Sequence, residues 1–306
     1  MKKIYLVDKK TGSIHLIDSE KGGMGKSITA RSLIEYTQDI IKIDSSLVEI
    51  IDADKAQPLV GRTYAPHHYL QEENGDISMK EASSLNDLAK QIAMIYFTDN
   101  EKIASQTDVI VELAETKAVI VNLPAAVFDL VNSWLNEGGI LELVSTLNIP
   151  IYKWFVTDGC QESIDTLKKS YLLYGNKIHH IIVKNRGLAT TEMDWWAFER
   201  DEELALYMEE YKETTYTIDL PFLTAANASY EALKKGNLTI RDVANIKKAK
   251  ELGFLMAQSA RFKKWRELTF EQFNTLPWKK TEDSLLSQAQ DNVGNSSDVA
   301  QSNSTK

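Results

Sequence analysis

Short apolar runs alternate with longer amphipathic ones along the chain. The short runs are Ile14 to Ile17, Val48 to Ile51, Ala118 to Leu123, Ile151 to Val156, Ile178 to Val183 and Thr215 to Ile218. Between them lie helical patterns from Lys26 to about Gln38, from Val127 to Val144, from about Glu162 and from about Met193. Apolar runs of this length separated by helices predict an α/β fold: a doubly wound, mostly parallel sheet with helices on both faces. Gly61 to Ser84, with Pro66, Asn74, Gly75 and several charges, has no clear period and reads as a long surface excursion. Its adjacent pair His67-His68 has no third ligand nearby in sequence, so solvated loop histidines are the expected reading rather than a metal site.

At 306 residues and 43% hydrophobic composition the chain can bury a sizeable core. The expected organisation is a single domain over 1–283 with a basic helical part at about 234–282, then a disordered polar tail over 284–306. No run approaches the roughly 18 apolar residues of a membrane span, and the Met-Lys-Lys start does not lead into a signal-peptide core. A cytoplasmic location without membrane attachment is therefore expected. The single cysteine, Cys160, excludes an intramolecular disulfide and reads as a small side chain at a helix start.

The most specific chemistry lies at Glu20-Lys21-Gly22-Gly23-Met24-Gly25-Lys26-Ser27. Glycines let successive backbone N–H groups turn inward around a phosphate, a lysine reaches the outer phosphates, and a hydroxyl meets magnesium. Gly22, Gly23 and Gly25 fill the first role, Lys26 the second and Ser27 the third, with Met24 and Ile28 completing the contact. The run Ile14 to Ile17 enters this loop and an amphipathic helix leaves it, which puts a helix N-terminus against the phosphates. Three strand ends carry companion residues: Asp52 and Asp54 after Val48 to Ile51, Asn122 after Ala118 to Val121, and Asn185 after Ile181 to Lys184. An amide such as that of Asn185 offers the donor and acceptor that adenine requires.

The Lys-Gly-Gly-x-Gly-Lys-Ser wording resembles the deviant Walker-A ATPases of the ParA/MinD family, closest to their plasmid partition and mobilisation branch. Taken alone, Lys21 reads equally as an ordinary exposed charge. The resemblance implies an ATP- and Mg2+-dependent P-loop ATPase in which Lys21 reaches across a homodimer to the partner's nucleotide. It further implies catalytic roles for Lys21, Lys26 and Asp54, with Asp54 orienting the attacking water. Magnesium falls to Ser27, Asp52 and Asn122, and adenine to Asn185 and the loop at Pro221. The chain departs from the family at Asn122, where the pattern has Asp before Pro. An amide keeps hydrogen bonding but supplies no charge, so slow hydrolysis is expected.

The formal charge of −9 is unevenly spread. Lys234 to Arg266 carries ten basic and two acidic residues, so it is +8 and the rest of the chain −17. Lys247, Lys248, Lys263, Lys264 and Arg266 form either a surface for sequence-independent DNA binding or a solvated helix face that balances an acidic body. Trp265 either stacks or anchors helix packing, and Trp195-Trp196 is expected to pack a helix on the sheet. Three functions follow: an ATP-driven dimerisation switch serving partition, mobilisation or cargo positioning with an unidentified stimulating or cargo protein; an ATP-binding module with little hydrolysis; and a metabolic P-loop enzyme acting on a small carboxylate.

Overall fold

The structure, a computed structural model, describes residues 4, 6, 7, 11–71, 77–79, 92, 95–100, 104–224, 231, 233 and 237–278. The strands are β1 (Ser13–Asp18), β2 (Val48–Asp52), β3 (Tyr69–Gln71), β4 (Ile77–Met79), β5 (Ala118–Asn122), β6 (Ile151–Thr157), β7 (His179–Asn185) and β8 (Thr215–Leu220). Six of them form one all-parallel sheet in the order β2-β5-β1-β6-β7-β8, while β3 and β4 pair as an antiparallel hairpin. From β1 the chain fills one side of the sheet with β2 and β5, then crosses to the other for β6, β7 and β8. The winding reverses at β1, and ligands of open α/β sheets bind beyond the carboxyl ends of the strands at such a reversal.

Helices cover both faces, as the alternation of runs predicts. They are α1 (Lys26–Tyr36), α2 (Leu59–Tyr64), α3 (Val109–Ala114), α4 (Phe128–Asn132), α5 (Ile140–Leu147), α6 (Gln161–Tyr174), α7 (Trp196–Arg200), α8 (Glu202–Glu210), α9 (Ile240–Ala244), α10 (Ile246–Glu251) and α11 (Met256–Asn274). Side chains alternate across a strand, so Ile17, Ile120, Trp154 and Ile181 meet Leu33 and Ile34 of α1 and Phe262 and Phe273 of α11 on one face. Leu16, Val119 and Val121 meet Ile110 of α3, Val131 of α4 and Val144 of α5 on the other. Farther along that face Phe155 and Ile182 pack on Ile164 and Leu167 of α6. Burying each such side chain contributes about 1.5–3 kcal/mol. The basic helix α11 therefore shares its core with α1, and no helix among the described residues is long and apolar enough to cross a membrane.

Several polar side chains run inside this sheet and are paired. Trp154 Nε1 donates to His15 Nδ1 at 3.0 Å, and the Lys153 ammonium lies 3.1 Å from the Asp18 carboxylate and 3.2 Å from Ser170 Oγ. His180 sits 3.0 Å from the same hydroxyl; burial first, and the Lys153 and His179 charges after it, hold its pKa well below the ordinary value.

Four expectations are corrected. The Val127 to Val144 run is not one helix: α4 ends in a π-turn over Ser133–Glu137 and α5 starts afresh after Gly138 and Gly139. A Cβ at Gly138 would lie 2.6 Å from the Trp134 carbonyl oxygen, so the break depends on glycine. The helical stretch from Met193 is also divided, because Asp201 leaves the helical conformation and caps α8 by accepting from the Leu204 N–H at 2.8 Å. Trp195 is fully buried as expected, but its neighbour Trp196 is 53% exposed. The excursion from Gly61 begins as the ordered helix α2 with Gly61 buried, and continues into β3 and β4. Its later part and the tail over 284–306 lie outside the described residues.

Candidate functional site

The loop between β1 and α1 turns on two glycines in the left-handed region, Gly23 at φ +78° and Gly25 at +102°. Gly25 is doubly constrained, since a Cβ there would sit 2.7 Å from Asn185 Nδ2. As the N-cap of α1, Gly25 supplies no side-chain cap, so the first N–H groups of the helix point into the loop with the positive end of its dipole. Lys26 is 8% exposed. Its ammonium donates to Ser19 Oγ at 2.8 Å and to the Lys21 carbonyl at 3.1 Å, and Ser19 Oγ donates to that same carbonyl at 2.9 Å. Burial lowers the Lys26 pKa, opposed by the charges of Asp18, Asp54 and Glu20. Bracing by Ser19 had no sequence signature.

Two cavities flank the loop. One of about 250 Å³ is lined by Gly22 through Ser27 together with Arg31, Asp54, Gln57, Leu59, Ala125 and Leu233. Asp54 is placed there by its own turn, its Oδ1 accepting from the Gln57 N–H at 3.2 Å. Arg31 follows Ser27 by one helical turn, a spacing visible in sequence. Its guanidinium donates to the carbonyls of Leu238 at 3.0 Å and Leu59 at 2.8 Å, which ties α1 to the cavity wall.

The other cavity, about 300 Å³, is lined by Gly23, Gly25, Ile28, Asn185, Gly187, Leu188, Leu220, Pro221, Phe222, Leu223 and Trp265. Its walls are mostly apolar, with a few polar groups on one edge, as a flat heterocycle requires. The Asn185 amide is partly committed: Nδ2 donates to the Met24 carbonyl at 2.6 Å and Oδ1 accepts from the Gly187 N–H at 2.9 Å. Asn185 thereby fastens the glycine loop to the end of β7, a role its sequence position did not reveal. Trp265 is a packing anchor, 4% exposed, with Nε1 donating to the Pro221 carbonyl at 2.8 Å.

Asp52 and Asn122 end adjacent strands in register and touch each other, Asn122 Nδ2 donating to Asp52 Oδ1 at 2.8 Å. Asp52 also accepts from the N–H groups of Asp54 at 3.3 Å, Val60 at 2.8 Å and Gly61 at 3.0 Å. Four hydrogen bonds occupy the lone-pair positions of a carboxylate, so Asp52 serves the N-terminus of α2 and leaves none for a cation. Burial raises its pKa to about 6 despite the hydrogen bonds from Gly61, Asn122, Asp54 and Val60. Asn122 Oδ1, by contrast, is buried with no hydrogen-bond partner. An orphaned oxygen beside the loop fits a magnesium-bound water; Ser27 and Asn122 suit that ion and Asp52 does not.

The Lys21 side chain lines neither cavity. Its ammonium pairs with the Glu162 carboxylate and is 3.3 Å from Cys160 Sγ, at the start of α6. The hydrogen bonds to Glu162 and then Cys160 raise its pKa. Cys160 is the N-cap of that helix, as its sequence context suggested.

The basic stretch divides as well. Lys247, Lys263 and Lys264 are exposed, and Lys248 reaches Asp242 at 2.7 Å. Arg266 is not part of that surface: its guanidinium pairs with Glu35 at 2.8 Å and with Asp39, and lies over the Phe270 ring. The α11 register, which turns Phe262, Trp265 and Phe270 inward, takes Arg266 toward α1. None of the protein-family models matches this chain, and no curated protein matches its sequence.

Proposed function

We propose that the chain is an ATP-binding dimerisation switch that hydrolyses slowly. The observation that carries this reading is the placement of the Gly22–Ser27 loop, with its buried Lys26 ammonium, between an apolar cleft walled by Ile28, Pro221 and Trp265 and a polar cavity holding Asp54. A base would occupy the first, the phosphates would meet the loop N–H groups and Lys26, and Asp54, which lines the second, would orient the attacking water. Ser27 and the orphaned oxygen of Asn122 would hold the magnesium and its water, and the ion would neutralise charge on the phosphates. Dimerisation follows from Lys21, which in the family the sequence resembles contacts the partner's nucleotide. The dimer would use Lys247, Lys248, Lys263 and Lys264 on DNA, and hydrolysis would reset it for a cargo or stimulating protein.

Replacing Lys26 by Ala tests the core of this reading. Among the described residues the Lys26 ammonium hydrogen-bonds Ser19 and the Lys21 carbonyl, so the variant should fold while losing ATP affinity by at least about 100-fold, in line with a charge-assisted hydrogen bond of roughly 3 kcal/mol. Calorimetric titration with ATP and magnesium measures it. Equal affinity in a folded Lys26→Ala protein removes nucleotide binding from this loop.

A second reading, an ATP-holding module with negligible turnover, draws on the pair Asp52 and Asn122, which offers magnesium no free carboxylate. Binding without turnover beyond the uncatalysed rate, with the dimer formed, selects it over the first.

A further inference from the structure

At the amino end of β2, about 10 Å down the strand from Asp52, the geometry points to a transition-metal site of the zinc class built from Glu49, His67 and His68. One ligand atom from each of the three lies within 4.8 Å of the others. The third ligand that the sequence did not offer beside His67-His68 comes from a neighbouring strand. Glu49 and His68 are 8% and 4% exposed, whereas His67 is exposed and leaves a path for the ion and a water.

The distances suit a metal better than direct hydrogen bonding. Glu49 Oε1 stands 3.7 Å from His68 Nε2, too far for a hydrogen bond. Two ligands of a tetrahedral zinc, each about 2.0–2.1 Å from the ion, are separated by about 3.3 Å, so a few tenths of an ångström close the pair around it. Glu49 is held in the needed orientation: its other oxygen accepts from Lys117 Nζ at 2.8 Å, leaving Oε1 to bind through one oxygen. Such outer hydrogen bonds orient metal ligands. The His67 and His68 rings meet edge to face, with centroids 4.1 Å apart and planes at 65°, which keeps the two imidazoles side by side near Glu49. Two imidazoles and a carboxylate, with a water in the fourth position, are a zinc donor set.

This site lies at the amino end of β2, away from the glycine loop at the carboxyl ends of the strands. β2 is an edge of the six-stranded sheet, and His67 and His68 form the turn that leads directly into β3. An ion there would tie the turn that leads into the β3–β4 hairpin to the edge strand β2.

The test is calorimetric titration of tag-free, full-length protein with Zn2+, repeated with Co2+ for the visible bands of a tetrahedral ion. One site per chain is expected. Loss of an outer hydrogen-bond partner lowers metal affinity by about 10- to 100-fold, so His67→Ala and Glu49→Gln, which delete ligands, should lower it at least that much. His67 is exposed, so its variant remains informative even where Glu49→Gln, which also takes the anionic partner from Lys117, is unstable. Lys26→Ala should bind zinc as wild type does. Absence of a one-to-one zinc site in wild type, or His67→Ala affinity within threefold of wild type, overturns the assignment.

Discussion

Replacing Asn122 by Asp would place a second carboxylate against Asp52. The substitution removes the 2.8 Å hydrogen bond from Asn122 Nδ2 to Asp52 Oδ1. Two unit charges at that distance repel by about 6 kcal/mol at an effective dielectric constant near 20, and 1.36 kcal/mol corresponds to one pH unit. The pair should therefore retain a shared proton well above the value of about 6 that Asp52 has with Asn122 beside it. In the unfolded chain both carboxyls lose their protons near pH 4. The folded variant then binds one more proton than the unfolded one over the neutral and alkaline range. Its stability is present at low pH and is lost as pH rises toward the folded value.

From pH 6.5 to 8.5 the stability of Asn122→Asp should fall relative to wild type by about 2–3 kcal/mol, the 1.36 kcal/mol per pH unit of a single proton. Wild-type Asp52, with its pKa at about 6, completes its ionisation at the lower end of this window and adds only a small slope there. Urea melts at three pH values for both proteins give the difference directly, and other titrating groups cancel in it. The double variant Asp52→Asn, Asn122→Asp has one carboxylate again and should lose the slope. A difference between Asn122→Asp and wild type that stays constant within about 0.5 kcal/mol would mean that the two side chains do not touch. The functional consequence is conditional: near neutral pH the proton-sharing pair carries the same charge as wild type. Any gain in magnesium affinity or turnover from Asn122→Asp should thus grow with pH as the ion competes with the proton.

Lys21→Ala should bind ATP yet not dimerise with it, whereas Glu162→Gln, which weakens the hold of α6 on Lys21, should dimerise at lower ATP; light scattering reports both, and wild-type behaviour in each removes Lys21 from the interface. Gly25→Ala should cost about 1–3 kcal/mol, because a side chain at φ +102° is strained and its Cβ would meet Asn185, and it should abolish ATP binding; an unaltered denaturation midpoint contradicts the loop geometry. Lys263→Glu with Lys264→Glu should weaken DNA binding by the ATP-bound protein and flatten its salt dependence by about 0.9 in log–log slope for each phosphate no longer neutralised; wild type that ignores DNA at low salt assigns these residues to a solvated face. Arg266→Glu should instead destabilise the fold by about 3 kcal/mol, since it leaves the 1%-exposed Glu35 carboxylate beside another; full stability with weakened DNA binding would return Arg266 to the surface.

The parallel sheet was legible because its inner strands β5, β1, β6 and β7 are largely apolar runs buried on both faces, a pattern that survives any choice of neighbours. The glycine loop was legible because its chemistry is local: glycines, lysine and hydroxyl fall within a few residues between a strand and a helix. Helix boundaries were harder to read where composition stayed helical through a break. Nothing before Gly138 signals the π-turn at Ser133–Glu137, and Asp201 serves a helix start in the middle of an amphipathic stretch.

Pairings between residues far apart in sequence were not legible, and these alter the roles of single residues. Arg266 and Lys264 are alike by charge, but α11 rotates one toward Glu35 and the other to solvent. Asp52 reads as a metal ligand until its four acceptor positions are found filled by α2, Asp54 and Asn122. An amide rather than a carboxylate at 122 then has a structural reason. A carboxylate at 52, made basic by burial and already committed to the N-terminus of α2, favours a neutral hydrogen-bond donor beside it and disfavours a second charge. Asn122 therefore satisfies Asp52 with its nitrogen and presents its oxygen, unpaired, for a water. On this argument the pair acts as a unit. A change at either position alone should cost more than the two changed together, and the double-mutant coupling measured at pH 8.5 should exceed that at pH 6.5.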